Sequence, residues 1–453
     1  MVKNMTEGNP LKLILSFALP LLAGNIFQQT YNIADAAIVG KYLGANSLAA
    51  VGASSSVQFL VLGFCIGICC GFAIPIAQRF GAGDHHQMRC FIFQSAVLTV
   101  VSAAFLTSVC AILCPMILHL LATPENIYAD AYRYLFIIFI GIPFSLLYNL
   151  LAGILRAVGD SITPFIFLVI STVMNIALDC LFIIGFGWGC AGAAAATITS
   201  QAVSGILCLI LINKKFDILK PRKNERCIRS SDISRLLWNG IPMGLQYSIT
   251  AIGSMVMQTA NNGLGEVYVS GFTAGMRIKQ FAMCPFDAVA TAVSNFCSQN
   301  LGANQFARIR RGIRDGILIG AGYGIVIGII LFFYGGLLSQ IFLKNDEVEV
   351  IAASAQYLRC LGCFYWALGF LNVCRMTVQG LGFSALSIIS GFVEMIARII
   401  VSLVFVPIYK FTAICFADQS AWVSAALYIV PVLAICVRKL EKQMNTNNIN
   451  AKP

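Results

Sequence analysis

The run QQTYNIADAAIVG, residues 28–40, closes an apolar stretch that is long enough to cross a bilayer. Gln28, Gln29, Asn32 and Asp35, with Asn25 just before them, recur three and four residues apart and share one helical face. An aspartate near the centre of a membrane helix costs about 3 kcal/mol. A helix packed only for stability would omit this stripe. One reading puts Asp35 at the outer boundary, facing water. The polar neighbours on the same face favour the other reading, a wall of an ion-accessible cavity.

The rest of the chain supports a membrane setting. Of its 453 residues 58% are hydrophobic and only 11% are charged, against about 25% charged in soluble domains. Mean hydropathy is +0.83. Apolar runs of spanning length recur at about 13–38, 47–77, 91–118, 133–155, 163–185, 190–212, 234–261, 271–297, 315–343, 351–379, 385–409 and 414–436. Strict alternation, the mark of a barrel strand, is absent, so all are expected to be helices. The first run is too long and too polar for a cleaved signal peptide.

Most of the 30 Lys and Arg fall in alternate connections and at the termini. These are Arg79, Arg89, Arg156, the stretch Lys214–Arg235, Arg308, Arg310, Arg311 and Arg314, with Lys3, Lys12, Arg438, Lys439, Lys442 and Lys452 at the ends. The opposite connections hold Lys41, Arg133, Lys344 and Lys410. The positive-inside rule places both termini in the cytoplasm and the chain in the cell membrane. The net charge of +11 is then a topology signal, and no nucleic-acid partner is expected. The 17 cysteines sit mostly inside apolar runs and read as reduced packing residues. Cys360 and Cys363 form a lone CxxC, short of the four ligands of a zinc site.

The two halves repeat. Pro20 matches Pro242, LGA at 43–45 matches LGE at 264–266, QRFGAG at 78–83 matches QNLGAN at 299–304, and residues 149–159 match 372–382. Six helices per repeat give both halves the same orientation, related by a pseudo-two-fold axis along the membrane normal. The expected fold is all-α and integral to the membrane, with twelve transmembrane helices in two six-helix lobes. Residues 1–212 form the N-terminal lobe, 213–233 a cytoplasmic linker, 234–437 the C-terminal lobe and 438–453 a cytoplasmic tail. Two such lobes with a cavity between them suit a transporter that works by alternating access. A nucleotide-binding G-x-x-x-x-G-K-[ST] loop is missing, so uphill transport would draw on an ion gradient or a partner.

Asn175 and Asp179 lie four apart on the fifth span, and Thr197 falls at a comparable depth on the sixth. With Asp35 they make an all-oxygen set, which suits a hard cation or a shared proton. Helix-to-helix hydrogen bonding is the plainer alternative. The repeat does not copy this set: Asp35 falls on Met257 and Asp179 on Ser402. Second-half charge sits on Arg277, Lys279, Asp287, Arg359, Arg375, Glu394 and Arg398. Glu394 and Arg398, four apart, read as a structural ion pair, and Asp287 as a recognition charge. Glycines at 63, 67 and 71 and at 316, 320, 324 and 328 mark close helix packing. Pro20 is a fixed bend or a hinge.

Several segments together resemble the MATE (multidrug and toxic compound extrusion) family. They are LPLLAGNIFQQTYNIADAAIVGKYLGANSLAAVG at 19–52, AQRFGAGD at 77–84, GILRAVGDSITP at 153–164 and NIALDCLFIIGFGWGCAGAAAATITSQ at 175–201. GIPMGLQ at 240–246 and SQNLGANQFARIRRG at 298–312 extend the likeness into the second half. The resemblance implies an antiporter that exports drug-like, often cationic compounds against inward sodium or proton flow. It implies a coupling site at Asp35, Asn175, Asp179 and Thr197, joined by the carbonyl of Ala193; these would also be the ligands of sodium if sodium is the ion. It links Pro20 to bending of the first helix. Gln246 and Thr250 stand where the NorM-like branch carries a glutamate, so the pattern is closer to the DinF-like branch.

The expected substrate cavity takes in Gln28, Gln29, Asn32, Asn149, Gln246 and Asp287. Small-molecule substrates, the lipid bilayer and one coupling ion are the expected partners, with no other cofactor and a monomeric state. A lipid-linked sugar flippase of the same broader superfamily is the alternative; it would favour a cationic cavity and more than twelve spans. A membrane-embedded enzyme lacks an acid–base or metal constellation here, and a passive channel would conduct without counter-transport.

Overall fold

The computed structural model describes residues 3–120, 123–343 and 346–450, and the side chains of all of these except 45, 120 and 444–450. Lys344, in an opposite connection, and Lys452, at the C-terminal end, lie outside the described residues. The described chain is helical throughout, with no strand.

Twelve helical elements have spanning length. The first six are α1 (Pro10–Leu43), α2 (Ala45–Gly81), α3 (His85–Leu120), α4 (Glu125–Ile140 and Ile142–Ala157, bent by 46°), α5 (Ile162–Gly185) and α6 (Gly189–Lys215). The second six are α7 (Ser230–Asn262), α8 (Glu266–Gly302), α9 (Phe306–Ser339), α10 (Val348–Gly362 and Tyr365–Gly380, bent by 55°), α11 (Ser384–Tyr409) and α12 (Phe411–Asn450). Ten of these are apolar enough to cross a membrane by composition, counting each bent pair once. The other two, α7 and α8, have 33 and 37 residues, but amides, hydroxyls and the charges Arg277, Lys279 and Asp287 lower their hydropathy. The last helix continues through Asn450, past the expected start of a tail at 438.

The repeat is visible in the irregularities. Eight of the ten described residues with positive φ pair off, as Gly44 with Gly265, Gly83 with Asn304, Gly159 with Gly382 and Gly189 with Lys410. Each pair is 221 to 223 positions apart, and in six of the eight places glycine carries the conformation, as expected where a Cβ would clash. The bends of α4 and α10 correspond, and α5 and α11 each relax into a π-helical turn, at Cys180–Gly185 and Val401–Phe405. These turns pair Asp179 with Ile400 rather than Ser402. Neither register supplies a second carboxylate.

The chain divides into two compact units, residues 1–4 with 23–244 and residues 5–22 with 245–453. This differs from the expected division at 212 and 234. The boundaries fall inside α1 and α7, close to Pro20 and Pro242, each of which lies within its helix and leaves one backbone hydrogen bond unmade. Each unit has its own apolar core. Phe72, Phe91 and Phe139 are buried in the first, and Phe286, Tyr357, Tyr365 and Trp422 in the second. Small residues set the closest helix contacts. Gly71 on α2 meets Asn239 and Gly240 on α7, and Gly328 on α9 meets Gly362 on α10. The expected linker contains two short 3-10 turns, Asp217–Leu219 and Lys223–Glu225.

Candidate cation site

In the first unit, α1, α5 and α6 bring their polar faces together. Asp179 is fully buried at the last α-helical turn of α5, directly before the π turn, and Asn175 is buried one turn earlier. Such turns break the regular backbone ladder and are frequent at functional sites. Thr197 and Ala193 are buried on α6, four apart and so on one face. Asp35 comes from α1 and is half-buried.

The carboxyls of Asp35 and Asp179 lie within hydrogen-bonding reach of each other, yet Oδ1 of each finds no donor. Two carboxylates at such range repel unless a proton or a cation lies between them. With its amide nitrogen turned to the acid, Asn175 donates to Asp179 Oδ2 at 3.0 Å and its oxygen accepts from the Thr197 N–H at 3.2 Å. That orientation gives both ends of the amide a partner. The same N–H is the helical donor to the carbonyl of Ala193, four residues back. Sharing it leaves that carbonyl with acceptor capacity to spare.

Two tyrosines complete the surroundings. The Tyr31 hydroxyl lies 3.3 Å from Thr197 Oγ1. Tyr134 on α4 is buried and donates to Gln58 on α2 at 3.4 Å. Sequence reasoning missed both. Tyr31 was within reach, because it is four residues before Asp35 on the same face; Tyr134 carries no local signal. Carboxylate, amide, hydroxyl and carbonyl oxygens are the donors a hard cation takes, and the open acid pair suits a proton equally. Among the described residues there is no group of three or more His, Cys, Asp or Glu that could hold a metal ion, so any bound cation would depend on neutral oxygens for much of its shell.

The expected cavity residues differ in burial. Gln28 and Asn32 are exposed and Gln29 is half-buried. Asn149 donates to the Ser145 carbonyl at 2.8 Å, within its own helix. In the second unit Asp287 is exposed on α8 and accepts from Asn372 at 3.2 Å. Gln246, expected to face a cavity, is instead buried, where its oxygen accepts from Gln379 and, at 3.4 Å, from Ser387. Its side-chain oxygen is thus engaged inside the helix packing.

The second unit also buries a chain of charges. Lys279 on α8 pairs with Asp418 on α12. Arg398 on α11 bridges Asp418, at 3.1 Å, and Glu394, at 3.3 Å. Glu394 pairs in turn with Arg375 on α10. The four-residue spacing of Glu394 and Arg398 does make an ion pair, but Asp418 is the hub and went unread, since its span carries no second charge near it.

The MatE family model matches the chain twice, over residues 20–181 and 242–404, once in each repeat. The chain is 31% identical over 379 residues to the probable multidrug resistance protein YpnP of Bacillus subtilis, covering 84% of each chain. It is 25% identical to the probable multidrug resistance protein NorM of Thermotoga maritima, covering 88% of this chain and 86% of that one. A crystal structure of MATE in complex with MaL6 superposes with a TM-score of 0.91 at 21% identity, over 97% of this chain and 99% of that one. A twice-matched family model, over repeats that the backbone irregularities also pair, places this multi-pass membrane protein in the MatE family.

Proposed function

We propose that this chain exports small organic compounds of drug-like character, cations among them, in exchange for inward-moving sodium ions or protons. The observation that carries the reading is the pairing of half-buried Asp35 with buried Asp179, with one oxygen of each left without a donor. The ion enters there and is held by Asp35, Asn175, Asp179, Thr197 and the Ala193 carbonyl. Exchange follows if ion and substrate favour different conformational states, since a ligand shifts an equilibrium only through its differential affinity. Pro20 is the hinge that couples the α1 stripe to that change, and the exposed carboxylate of Asp287 offers a counter-charge to a cationic substrate. The protein works as a monomer in the cell membrane with both termini in the cytoplasm, a topology supported by its basic connections.

Cells lacking their own efflux pumps test this directly. Expression of the chain should lower accumulation of a fluorescent organic cation. Asp35→Asn and Asp179→Asn should each raise accumulation back to within about 10% of the empty-vector level, at unchanged membrane abundance, because a lost charge at a coupling site removes the exchange step itself. Accumulation equal with and without the intact protein would contradict an export role.

A further inference from the structure

We propose that the second unit contains a counterpart of the cation site which the chain fills permanently with its own Lys279, leaving the first unit as the only place where an ion binds. The proposal rests on the reading of Asp35 and Asp179 as an ion site.

The repeat sets the correspondence. Positive-φ pairs bracket α2 and α8 at a constant offset of 221, from Gly44 and Gly265 to Gly83 and Asn304. Gln58 therefore corresponds to Lys279. The starts of α4 and α10, Glu125 and Val348, and the pair Gly159 and Gly382 fix an offset of 223, so Tyr134 corresponds to Tyr357. Gly189 and Lys410, which open α6 and α12, fix 221 again, so Thr197 corresponds to Asp418.

In the first unit Tyr134 bonds to Gln58, and Thr197 borders the acid pair. In the second unit the three corresponding positions touch one another. The Lys279 ammonium donates to Asp418 Oδ2, and Tyr357 Oη donates to the same oxygen at 2.9 Å. Lys279 is 7% exposed, and Tyr357 and Asp418 are 0% exposed.

The chemistry is inverted between the repeats. The first site has carboxylate oxygens without donors and no cationic side chain among its described partners. At the second, one carboxylate has both oxygens engaged, Oδ2 by Lys279 and Tyr357 and Oδ1 by Arg398 Nε. The Lys279 ammonium also lies over the Trp422 ring, 5.6 Å from its centroid, and 3.6 Å from Met276 Sδ. An ammonium is a compact point charge with three donors, so it can stand where a monovalent cation would. Being tethered, and held by Asp418 and the Trp422 ring, it occupies the position without the cost of capturing a dissolved ion.

The test reads cation-dependent thermal stability of the purified full chain, in sodium against choline at fixed pH and then across pH. The intact protein is stabilised by its coupling ion by a few degrees. Asp35→Asn with Asp179→Asn removes that response. Adding Lys279→Gln, the residue of the first repeat, to this double variant should restore a cation response from Asp418 Oδ2, smaller than the original because Arg398 still holds Oδ1. Adding Asp418→Thr as well should abolish it again. A Lys279→Gln variant in that background which unfolds cooperatively yet stays insensitive to cations would overturn the proposal.

A second variant guards against misfolding of the first. Lys279→Gln with Asp418→Thr in the otherwise intact protein removes both members of the pair together, which is far milder than stranding one charge. It should keep the wild-type cation response. Loss of that response would place the ion in the second unit and overturn the proposal. A full response that survives in Asp35→Asn with Asp179→Asn alone would instead defeat the first-unit site on which this rests.

Discussion

Asp35 and Asp179 face each other across α1 and α5, and each keeps an oxygen open. Asp179→Asn preserves shape and removes one of two repelling charges. In cation-free buffer the variant should therefore unfold within about 2 °C of the parent, or higher, since substitutions that leave packing intact move stability little. The rise in melting temperature on adding the coupling ion should vanish. A retained rise, read by differential scanning fluorimetry, would contradict the assignment. Outside the membrane, Glu225 plays a structural part in the connection between α6 and α7. It accepts from Arg89 Nε at 2.8 Å, from Arg89 Nη2 at 2.7 Å and from the Arg222 N–H at 2.7 Å. Hydrogen bonding to Arg89 holds its carboxyl down at about 2, below the usual 4.5. Its hold on the connection is thus complete above the ordinary value and is lost as pH falls through the depressed one. Glu225→Gln mimics the protonated state at neutral pH. It should speed tryptic cleavage around Arg222, Lys223 and Arg226 by about tenfold, since losing charge-assisted bonds costs about 1.5–3 kcal/mol. Unchanged cleavage would show that the connection is held by other means. At this scale the sequence showed Asp35, Asn175, Asp179 and Thr197, because a shared helical face follows from spacing. It did not show Tyr134 or Asp418, whose partners lie on other helices, a matter of tertiary register that spacing within one helix does not encode.

Helix contacts follow the same division. The glycine runs on α2 and α9 identified close-packed faces, and their partners emerged only in three dimensions. A Cβ at Gly362 would lie 2.5 Å from the Gly328 carbonyl, whereas one at Gly322 would meet nothing within 4 Å. Gly362→Ala should destabilise the second unit by about 1–3 kcal/mol, the usual result of overpacking. Gly322→Ala should be neutral or slightly stabilising, as Ala is the better helix former. Equal melting temperatures for the two variants would contradict the packing account. Pro20 is the element-scale candidate for motion, because it removes a backbone bond near the unit boundary inside α1. Pro20→Ala should cut transport at least fivefold while leaving the ion-induced stabilisation in place. Transport at the parental rate would contradict a hinge role for Pro20. The π turns after Asp179 and Ile400 had no signature in the sequence, since nothing in the side-chain pattern distinguishes one extra residue per turn within an apolar run.

At the scale of the molecule, hydropathy and the offset between repeats were enough to read twelve helices and a doubled fold. The physical reason is that lipid admits only helices of near-fixed length, which makes spans countable. The unit boundaries were not legible, because α1 and α7 continue as helices through the points where their packing allegiance changes. The chemical asymmetry between the repeats was half visible: the absence of acids opposite Asp35 and Asp179 was plain, and the ammonium opposite Gln58 was not. On the proposed reading, coupling means that a cation or proton at the Asp35–Asp179 pair drives substrate movement. It is tested most directly in proteoliposomes, with a sodium gradient and a proton gradient imposed separately and the flux of a fluorescent organic cation recorded. One of the two gradients should drive flux in the intact protein, and neither should do so in Asp35→Asn or Asp179→Asn. Flux that ignores both gradients, or that persists in both variants, would contradict the claim.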